Sequence, residues 1–360
     1  MNESASGLAA DIRLPRNGFE IDVAFEVAAG TTAALLGPNG AGKSSILSTV
    51  AGLIELPAES AVRVSLAGRV LDDTAAGTSV PADARRVGTV FQEHRLFDHL
   101  DVLDNVAFGP RSAGARRRAA RDTARSWLEV LGIAGLAARR PRELSGGEAQ
   151  RVAIARTLAA DPAALLLDEP LAALDVSTRS TVRRVLREQL DAFSGPRLVV
   201  THDPSDAFLL ADRLLVLEGG RVTQAGTPDE IRRTPATPYV AALTGTNLYV
   251  GVATDGSVLL ADHDHTFTIA DHVLDGPAMI TVHPTAVSLH PDRPSGSQRN
   301  TWSSVVELLE PLGDIVRITL GDPVPMAVDV TPDAVAALGL ERGTPVWAAV
   351  KATEIAASPA

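Results

Sequence analysis

The chain has 360 residues, 45% of them hydrophobic and 21% charged, which is enough apolar material for two or three globular domains. The formal net charge of −11 argues against general nucleic-acid binding, because neutralising phosphates requires clustered Lys and Arg. The sequence contains no cysteine, which excludes disulfides, zinc–thiolate sites and cysteine nucleophiles.

The first two thirds of the chain alternate strand-like and helix-like segments. Residues 14–27 predict one or two strands interrupted by the turn dipeptide Asn17-Gly18, and residues 43–53 predict a helix. Residues 102–140 are rich in Ala, Arg and Leu, with an apolar stripe that ends at Ile133, and they predict a helical insertion. Short apolar runs typical of buried parallel strands lie at residues 32–36, 87–91, 164–167, 198–201 and 213–217.

After about residue 244 the long helical segments stop and short β-rich runs replace them. Pro and Gly separate these runs, and residues 292–299 indicate a linker or an exposed loop. This pattern predicts one or two small β-barrel-like modules. The runs lie at residues 257–260, 278–282, 305–309, 315–320 and 346–350.

A phosphate-binding loop is predicted at residues 37–44, which fit G-x-x-x-x-G-K-[ST] between a predicted strand and a predicted helix. Glycines let backbone N–H groups surround phosphate oxygens, and the helix directs its positive end at the same anion. Lys43 is expected to reach the β- and γ-phosphates, and the Ser44 hydroxyl to bind Mg²⁺. The predicted nucleotide-binding residues are Gly37, Pro38, Asn39, Gly40, Ala41, Gly42, Lys43, Ser44 and Ser45.

Two adjacent carboxylates end the apolar run at residues 164–167. Asp168 is expected to hold Mg²⁺ through water, and Glu169 to polarise the water that attacks the γ-phosphate. Successive side chains of a strand point to opposite sides, which suits this division of roles.

The segment Leu144-Ser-Gly-Gly-Glu148, followed by Ala-Gln-Arg-Val-Ala-Ile-Ala-Arg, resembles the signature of ABC ATPases. Three further positions resemble motifs of that family: Gln92 its Q-loop, residues 172–175 its D-loop, and His202 its switch histidine. The resemblance covers about residues 11–245. It implies an α/β P-loop NTPase domain at residues 1–245 with a helical subdomain at about 93–145.

The resemblance also implies a mechanism based on a head-to-tail homodimer. ATP lies between the phosphate-binding loop of one copy and Ser145, Gly146, Gly147 and Asp175 of the other. Physically, Ser145, Gly146 and Gly147 begin a helix and so offer a second anion site at its N-terminus. The implied catalytic residues are Glu169, His202, Gln92 and Asp168, and the implied Mg²⁺ ligands are Ser44, Gln92 and Asp168.

The resemblance also implies an aromatic residue before the phosphate-binding loop that stacks on adenine, and Phe19 and Phe25 are the candidates. Phe25 alternates with Val23 and Val27, a pattern that favours core packing. Phe19 is therefore the preferred residue.

The resemblance favours an importer over the ABC ATPases of translation and DNA repair, which usually carry two cassettes or a long coiled-coil insertion. Residues 91–106 are similar to the importer pattern, which implies contact between this region and an integral-membrane permease subunit. Residues 1–11 lack the pattern of a signal peptide, and no apolar run is long enough to span a bilayer. We expect a peripheral subunit at the cytoplasmic face, served indirectly by an extracellular substrate-binding protein. The residues expected near the permease are Arg95, Leu96, Phe97 and His99.

The C-terminal region resembles a molybdate-binding mop domain, most clearly at residues 298–300 and 338–353. This implies an all-β OB-like (mop/TOBE) domain at residues 298–356, preceded by a β-rich connecting module at residues 246–297. Lys351, with the hydroxyls of Thr353 and Ser297, is a candidate site for a small dianion, the alternative being that these residues only close a barrel.

The combined pattern is most similar to the molybdate-importer branch of the family. Importers of sulfate, ferric iron, polyamine or sugar remain alternatives, as does an oxyanion-sensing or storage protein.

Overall fold

The computed structural model describes residues 7–359 except residues 17, 173, 175 and 272. The chain divides into two compact units, residues 1–228 and 229–360. The domain boundaries expected at residues 245 and 297 stay predictions. In the described part of the chain, no helix combines the length and apolar character needed to cross a membrane.

The strands of the first unit form one eleven-stranded sheet within the described residues. They are β1 (Leu8–Arg16), β2 (Phe19–Val27), β3 (Thr32–Leu36), β4 (Ala61–Leu66), β5 (Arg69–Asp73), β6 (Thr78–Ser79), β7 (Val87–Val90), β8 (Ala164–Asp168), β9 (Arg197–Thr201), β10 (Arg213–Glu218) and β11 (Arg221–Gly226). Their order across the sheet is β6-β5-β4-β1-β2-β11-β10-β3-β9-β8-β7.

The sheet has a parallel part and an antiparallel part. Strands β10, β3, β9, β8 and β7 pair in parallel, whereas β1 pairs antiparallel with both β2 and β4. Every residue of β3 and β9 is buried, as expected for strands covered on both faces. Because the paired strands run the same way, the chain leaves β3, β7, β8 and β9 at one edge, which brings four predicted motifs to the same place.

Helices cover the two faces of the parallel strands. Leu166 and Leu198 face the core beneath the first helix, and Leu165 and Val199 face the core beneath the helical insertion. This alternation follows from the two-residue period of a strand. The helices are α1 (Lys43–Ala51), α2 (Val102–Val106), α3 (Phe108–Ser112), α4 (Arg117–Val130), α5 (Gly146–Ala159), α6 (Val176–Ala192) and α7 (Pro204–Leu210).

The helical insertion lies between β7 and α5, where the sequence predicts it. Helix α4 buries Ala120, Ala124 and Leu128, which are spaced four residues apart and so share one face. Of the apolar stripe expected around them, Trp127 is only partly buried at the edge of this core, whereas Ile133 is fully inside.

The second unit contains two antiparallel sheets, of five strands each in the described residues. Its elements are α9 (Pro238–Thr244), β12 (Asn247–Thr254), β13 (Ser257–Leu260), β14 (Thr266–Thr268), β15 (Gly276–Val282), β16 (Ser288–His290), β17 (Asn300–Leu312), β18 (Ile315–Leu320), β19 (Met326–Val330), α10 (Pro332–Leu338), β20 (Pro345–Val350) and β21 (Ile355–Pro359); α8 (Pro228–Arg233) spans the boundary between the units. The sheet orders are β14-β13-β12-β15-β21 and β16-β20-β17-β18-β19.

One hydrophobic core joins the two sheets of the second unit. Phe267 and Ile280 of the first sheet and Trp302 and Ile318 of the second belong to the same buried cluster. The last strand, β21, pairs with β15, so the end of the chain closes the first sheet. The fold of the chain is therefore an α/β unit with a largely parallel central sheet, followed by a mainly β unit of two antiparallel sheets.

Candidate nucleotide site

The carboxyl ends of the parallel strands border a pocket of about 1000 Å³ in the first unit. The pocket brings together residues from the loops after β3, β7, β8 and β9, as the sequence predicts. Its lining residues are Pro15, Arg16, Phe19, Asn39, Gly40, Gly42, Lys43, Ser44, Ser45, Pro57, Glu59, Gln92, Glu169 and His202. Four of these lining residues were not predicted from the sequence: Pro15, Arg16, Pro57 and Glu59. Of the four, only Arg16 could have been predicted, because it pairs with the candidate Phe19 across the first turn.

The loop between β3 and α1 requires glycine at three positions. Gly40 and Gly42 have φ angles of 80° and 104°, which side chains rarely tolerate. A Cβ at Gly37 would lie 2.2 Å from the carbonyl oxygen of Leu217. Ala41, which belongs to the loop, is buried. Helix α1 begins after Gly42 with no side-chain cap and no acidic residue in its first turn. This helix end therefore presents its N–H groups to an anion.

Lys43 is buried at the base of this loop. Its Nζ donates hydrogen bonds to the carbonyl oxygens of Gly37, at 2.7 Å, and Pro38, at 2.9 Å. Burial lowers the pKa of the Lys43 ammonium, and the nearby Glu169 and Asp168 carboxylates oppose that change. The loop therefore fixes the position of the Lys43 ammonium, because the two carbonyl oxygens orient this cation without neutralising its charge.

Asp168 lies at the end of β8, close to Ser44, Lys43 and Glu169 of the pocket lining, although it does not itself line the pocket. Burial, and then the charge of Glu169, raise the pKa of the Asp168 carboxyl, whereas Lys43 and a hydrogen bond from Ser44 lower it. The Asp168 Oδ1 atom is buried, and no described residue hydrogen-bonds to it. A hydroxyl beside a carboxylate oxygen without a partner fits Mg²⁺, which takes one or two protein oxygens and completes its shell with water and phosphate.

Glu169 diverges from Asp168 and points to the neighbouring strand. Its Oε2 lies 2.6 Å from Nδ1 of His202, and its backbone N–H donates to the carbonyl oxygen of Val200 at 2.9 Å. Glu169 itself has a φ angle of 50°, an uncommon backbone conformation for a residue with a side chain. The strand end is therefore bent so that the two carboxylates face different partners.

The two candidate aromatic residues occupy different environments. Phe19 lines the pocket beside Gly42, whereas Phe25 is buried in the core of the sheet. Gln92 is exposed at the pocket, in the loop that follows β7.

The signature segment forms the start of α5 and lies outside this pocket. Ser145 caps the helix: its Oγ accepts from the Glu148 N–H at 3.4 Å, and Glu148 Oε2 accepts from the Ser145 N–H at 2.7 Å. These bonds to Ser145 lower the pKa of the Glu148 carboxyl. Ser145 and Gly146 are exposed and Gly147 is buried, and none of the three lines the pocket. Asp175 lies outside the described residues.

The second unit has its own pocket, of about 1030 Å³. Lys351 and Thr353 line it, as expected for the candidate dianion site. Ser297 does not line this pocket, contrary to expectation: it is exposed in the loop before β17, and the next residue, Gln298, takes the lining position. The further polar and charged lining residues are Asp229, Arg232, Arg233, Thr234, Thr246, Thr281, His283, Thr285, Ser288 and Glu354.

Comparison with known proteins matches both units to known families. Residues 21–172 match the ABC transporter family, and residues 296–357 match the TOBE domain. The chain is 41% identical over 351 residues to the molybdenum import ATP-binding protein ModC of Mycobacterium tuberculosis H37Rv, covering 94% of each chain. It is 36% identical over 304 residues to the Fe(3+) ions import ATP-binding protein FbpC 1 of Rhizobium meliloti, covering 82% of this chain and 81% of the relative.

A solved structure matches the first unit. It is cbiO1 from Clostridium perfringens, part of the ABC transporter complex cbiONQ, which is 28% identical with a TM-score of 0.54. The match covers 62% of this chain and 89% of that one.

Proposed function

Because the chain belongs to the ABC transporter family and its first unit is an ATP-hydrolysing cassette, we propose that it powers the import of molybdate. The observation that carries the substrate assignment is the match to a molybdenum-import relative over 94% of each chain, which is more extensive than the match to the iron-import relative over 82% of this chain. Ferric iron is the second candidate, since an iron-import relative matches most of the chain. Sulfate is the third candidate, since a sulfate/thiosulfate-import relative matches 62% of the chain. Polyamine and sugar are the remaining candidates.

The phosphates of ATP bind to the loop between β3 and α1 in this proposal. Residues 37–45 supply backbone N–H groups, and the Lys43 ammonium lies against the β- and γ-phosphates. Phe19 stacks on the adenine. Ser44, Asp168 and Gln92 hold Mg²⁺, which neutralises charge on the β- and γ-phosphates when it is bound.

Glu169 acts as the base in ATP hydrolysis. Its carboxylate orients the attacking water and accepts a hydrogen bond from it, so that the water oxygen is directed at the γ-phosphorus. His202 fixes this carboxylate through the 2.6 Å contact at Nδ1. Its Nε2 is then the ring nitrogen that remains for the γ-phosphate, and it donates there when the ring is protonated.

The start of α5 completes the site from a second copy of the chain. Its position outside the pocket of its own chain supports this arrangement, since Ser145, Gly146 and Gly147 are left to receive a phosphate held elsewhere. Asp175 is proposed to contribute to the same shared site. The working unit is therefore a head-to-tail homodimer that closes on ATP and reopens after hydrolysis.

The permease contact lies in the loop before α2. Arg95 and His99 are exposed there, and Leu96 and Phe97 are half-buried, so the loop offers both charge and an apolar surface. In this proposal the dimer sits at the cytoplasmic face of the membrane. A permease carries the substrate, and an extracellular binding protein delivers it.

The pocket of the second unit supports a further role in sensing a small oxyanion. Lys351, Arg232 and Arg233 supply cations, and Thr353 and Gln298 supply hydrogen-bond donors. The occupancy of such a site would depend on the concentration of the imported substrate. Closure of the β unit without any ligand is the alternative.

A reconstituted transporter tests the proposed substrate. The subunit is assembled with the permease in liposomes, and ATPase activity is measured with binding proteins loaded with molybdate, sulfate or ferric iron. We expect stimulation by the molybdate-loaded protein, and none when Lys43→Ala replaces the wild-type subunit. Stimulation by the sulfate- or iron-loaded protein alone would overturn the substrate assignment and leave the ATPase assignment intact.

A further inference from the structure

The loop that follows Gln92 contains two consecutive residues in the left-handed backbone region. His94 has a φ angle of 58° and Arg95 one of 47°, and neither is glycine. Residues with side chains adopt this conformation only when their surroundings impose it. The loop is therefore held in shape by contacts from another element.

Helix α5 supplies those contacts through Arg156. Its Nη1 donates to the carbonyl oxygen of Arg95 at 2.7 Å, and its Nη2 donates to that of His94 at 3.0 Å. The same guanidinium lies 5.3 Å from the ring centroid of Phe97. The planar fork of an arginine suits two carbonyls side by side, a geometry that a lysine does not reproduce.

A second residue of α5 reaches the same loop. Burial lowers the pKa of the His94 imidazole, and the nearby side chain of Gln150, which is itself buried, opposes that change. Burial lowers the pKa of the Arg156 guanidinium, since the group is largely withdrawn from water. The loop is thus attached to α5 through Arg156, and Gln150 lies near the same loop six residues earlier on the helix.

These contacts join two parts of the proposed mechanism. The loop starts at Gln92, beside the nucleotide, and carries the proposed permease contact at residues 95–99. The helix starts at Ser145, which is proposed to meet the phosphate held by the second copy. A helix moves as a rigid rod over this length, so a displacement of the loop is passed along α5 only if the attachment holds.

We propose that Arg156 is a positioning residue that makes the loop after Gln92 and helix α5 move together, and so couples the permease to the shared ATP site. This inference rests on the proposed function, because it needs a permease that acts on residues 95–99. No direct contact between Arg156 and the nucleotide is part of it.

The test compares basal and permease-stimulated ATPase activity in the assembled transporter. For Arg156→Met we expect basal kcat and the KM for ATP to stay within about twofold of wild type, while the stimulation ratio falls about tenfold, a size typical of coupling between sites. Arg156→Lys should recover part of the ratio, since an ammonium still reaches one carbonyl. The control is Arg125→Met, because Arg125 is exposed on α4 and pairs with Asp122.

An unchanged stimulation ratio in Arg156→Met would overturn the proposal. A parallel fall of basal and stimulated activity, with the ratio preserved, would also overturn it, because Arg156 would then only support the fold. Absence of stimulation in the wild type would instead contradict the proposed function.

Hydrogen exchange on the full-length subunit alone tests the attachment without any permease. We expect amides 94–97 to exchange faster in Arg156→Met than in the wild type or Arg125→Met, because the left-handed turn loses its partner. Unchanged exchange would overturn the proposal, even if the variant failed to assemble with the permease.

Discussion

The two lysines of the chain, Lys43 and Lys351, stand in pockets of similar volume that present a cation in different ways. Lys43 is buried, is held by two backbone carbonyls and lies at the positive end of α1. Lys351 is exposed, and its neighbours are side chains contributed by several strands and loops. The proposed phosphate contacts of the first pocket come from one continuous loop, residues 37–45, whereas the polar residues of the second pocket come from segments far apart in the chain.

This difference explains why one ligand is known from the family and the other is only proposed. A loop of glycine N–H groups at a helix end recognises phosphate through the backbone, so its sequence pattern is short and specific. A pocket lined by hydroxyl, amide and imidazole groups and by charges of both signs has no such pattern and fits many small polar ligands. Substitutions in the two pockets therefore distinguish recognition of phosphate by the backbone from recognition of a small ligand by side chains.

The largest effect is expected in the first pocket for Glu169→Gln. The amide keeps the shape of the side chain but cannot act as a base, so kcat should fall about a thousandfold, within the range typical of general-base removal. ATP should still bind and should hold the dimer closed. Single-turnover hydrolysis and gel filtration with ATP measure both, with Glu129→Gln, an exposed change on α4, as the control. Normal turnover would show that Glu169 is not the base.

The next effect is the loss of nucleotide binding in Lys43→Ala. The charge-assisted bonds to phosphate contribute up to about 3 kcal/mol, which corresponds to roughly a hundredfold in affinity. Titration calorimetry with ATP measures it, and Lys351→Ala is the matched control because it removes the other lysine of the chain. Equal ATP affinity in Lys43→Ala and Lys351→Ala would show that the two pockets do not differ in their recognition of ATP.

A smaller effect is expected for Lys351→Ala on oxyanion binding to the second unit. An exposed cation is screened by water, so loss of its charge should weaken molybdate binding about tenfold or less. Equilibrium dialysis of molybdate against the full-length chain measures this affinity, with Lys43→Ala as the reciprocal control. Absence of molybdate binding in the wild type would favour a β unit closed without ligand.

The smallest effect concerns the start of α5, where Glu148 places a carboxylate against the helix end. Glu148→Gln keeps the capping geometry and removes the charge that would face a phosphate. We expect ATP-dependent dimerisation to tighten about threefold, consistent with the modest size of helix-end charge effects. Weaker dimerisation measured by sedimentation would mean that the carboxylate assists the shared site.

Much of the fold was predictable where local pattern and tertiary environment agree. Strand β3 has the predicted bounds because a buried parallel strand is an apolar run that ends at a glycine turn. Strand β1 was predicted to begin at residue 14 but begins at Leu8, because Ala10 occupies an inward position without looking like a core residue. Its alternation with Ile12 was a readable signal once alanine is counted as apolar.

The parts of the site that depend on distant contacts were not predictable. The left-handed turn at His94 and Arg95 contains no glycine from which it could have been predicted. Arg156, which hydrogen-bonds to this turn, is about sixty residues away in the chain. Ser297 was favoured for the second pocket by its hydroxyl, but the backbone places Gln298 there instead. Side-chain identity indicates what a residue offers, and only the tertiary structure decides where it points.

The shared ATP site is tested most directly by mixing two inactive variants. Lys43→Ala disables the phosphate-binding loop, and Ser145→Arg blocks the exposed start of α5. In a head-to-tail dimer of the two, one site carries both defects and the other carries none. We predict that each variant alone is inactive and that the mixture recovers ATP hydrolysis. Full activity of Ser145→Arg alone, or a mixture as inactive as its components, would contradict the shared site.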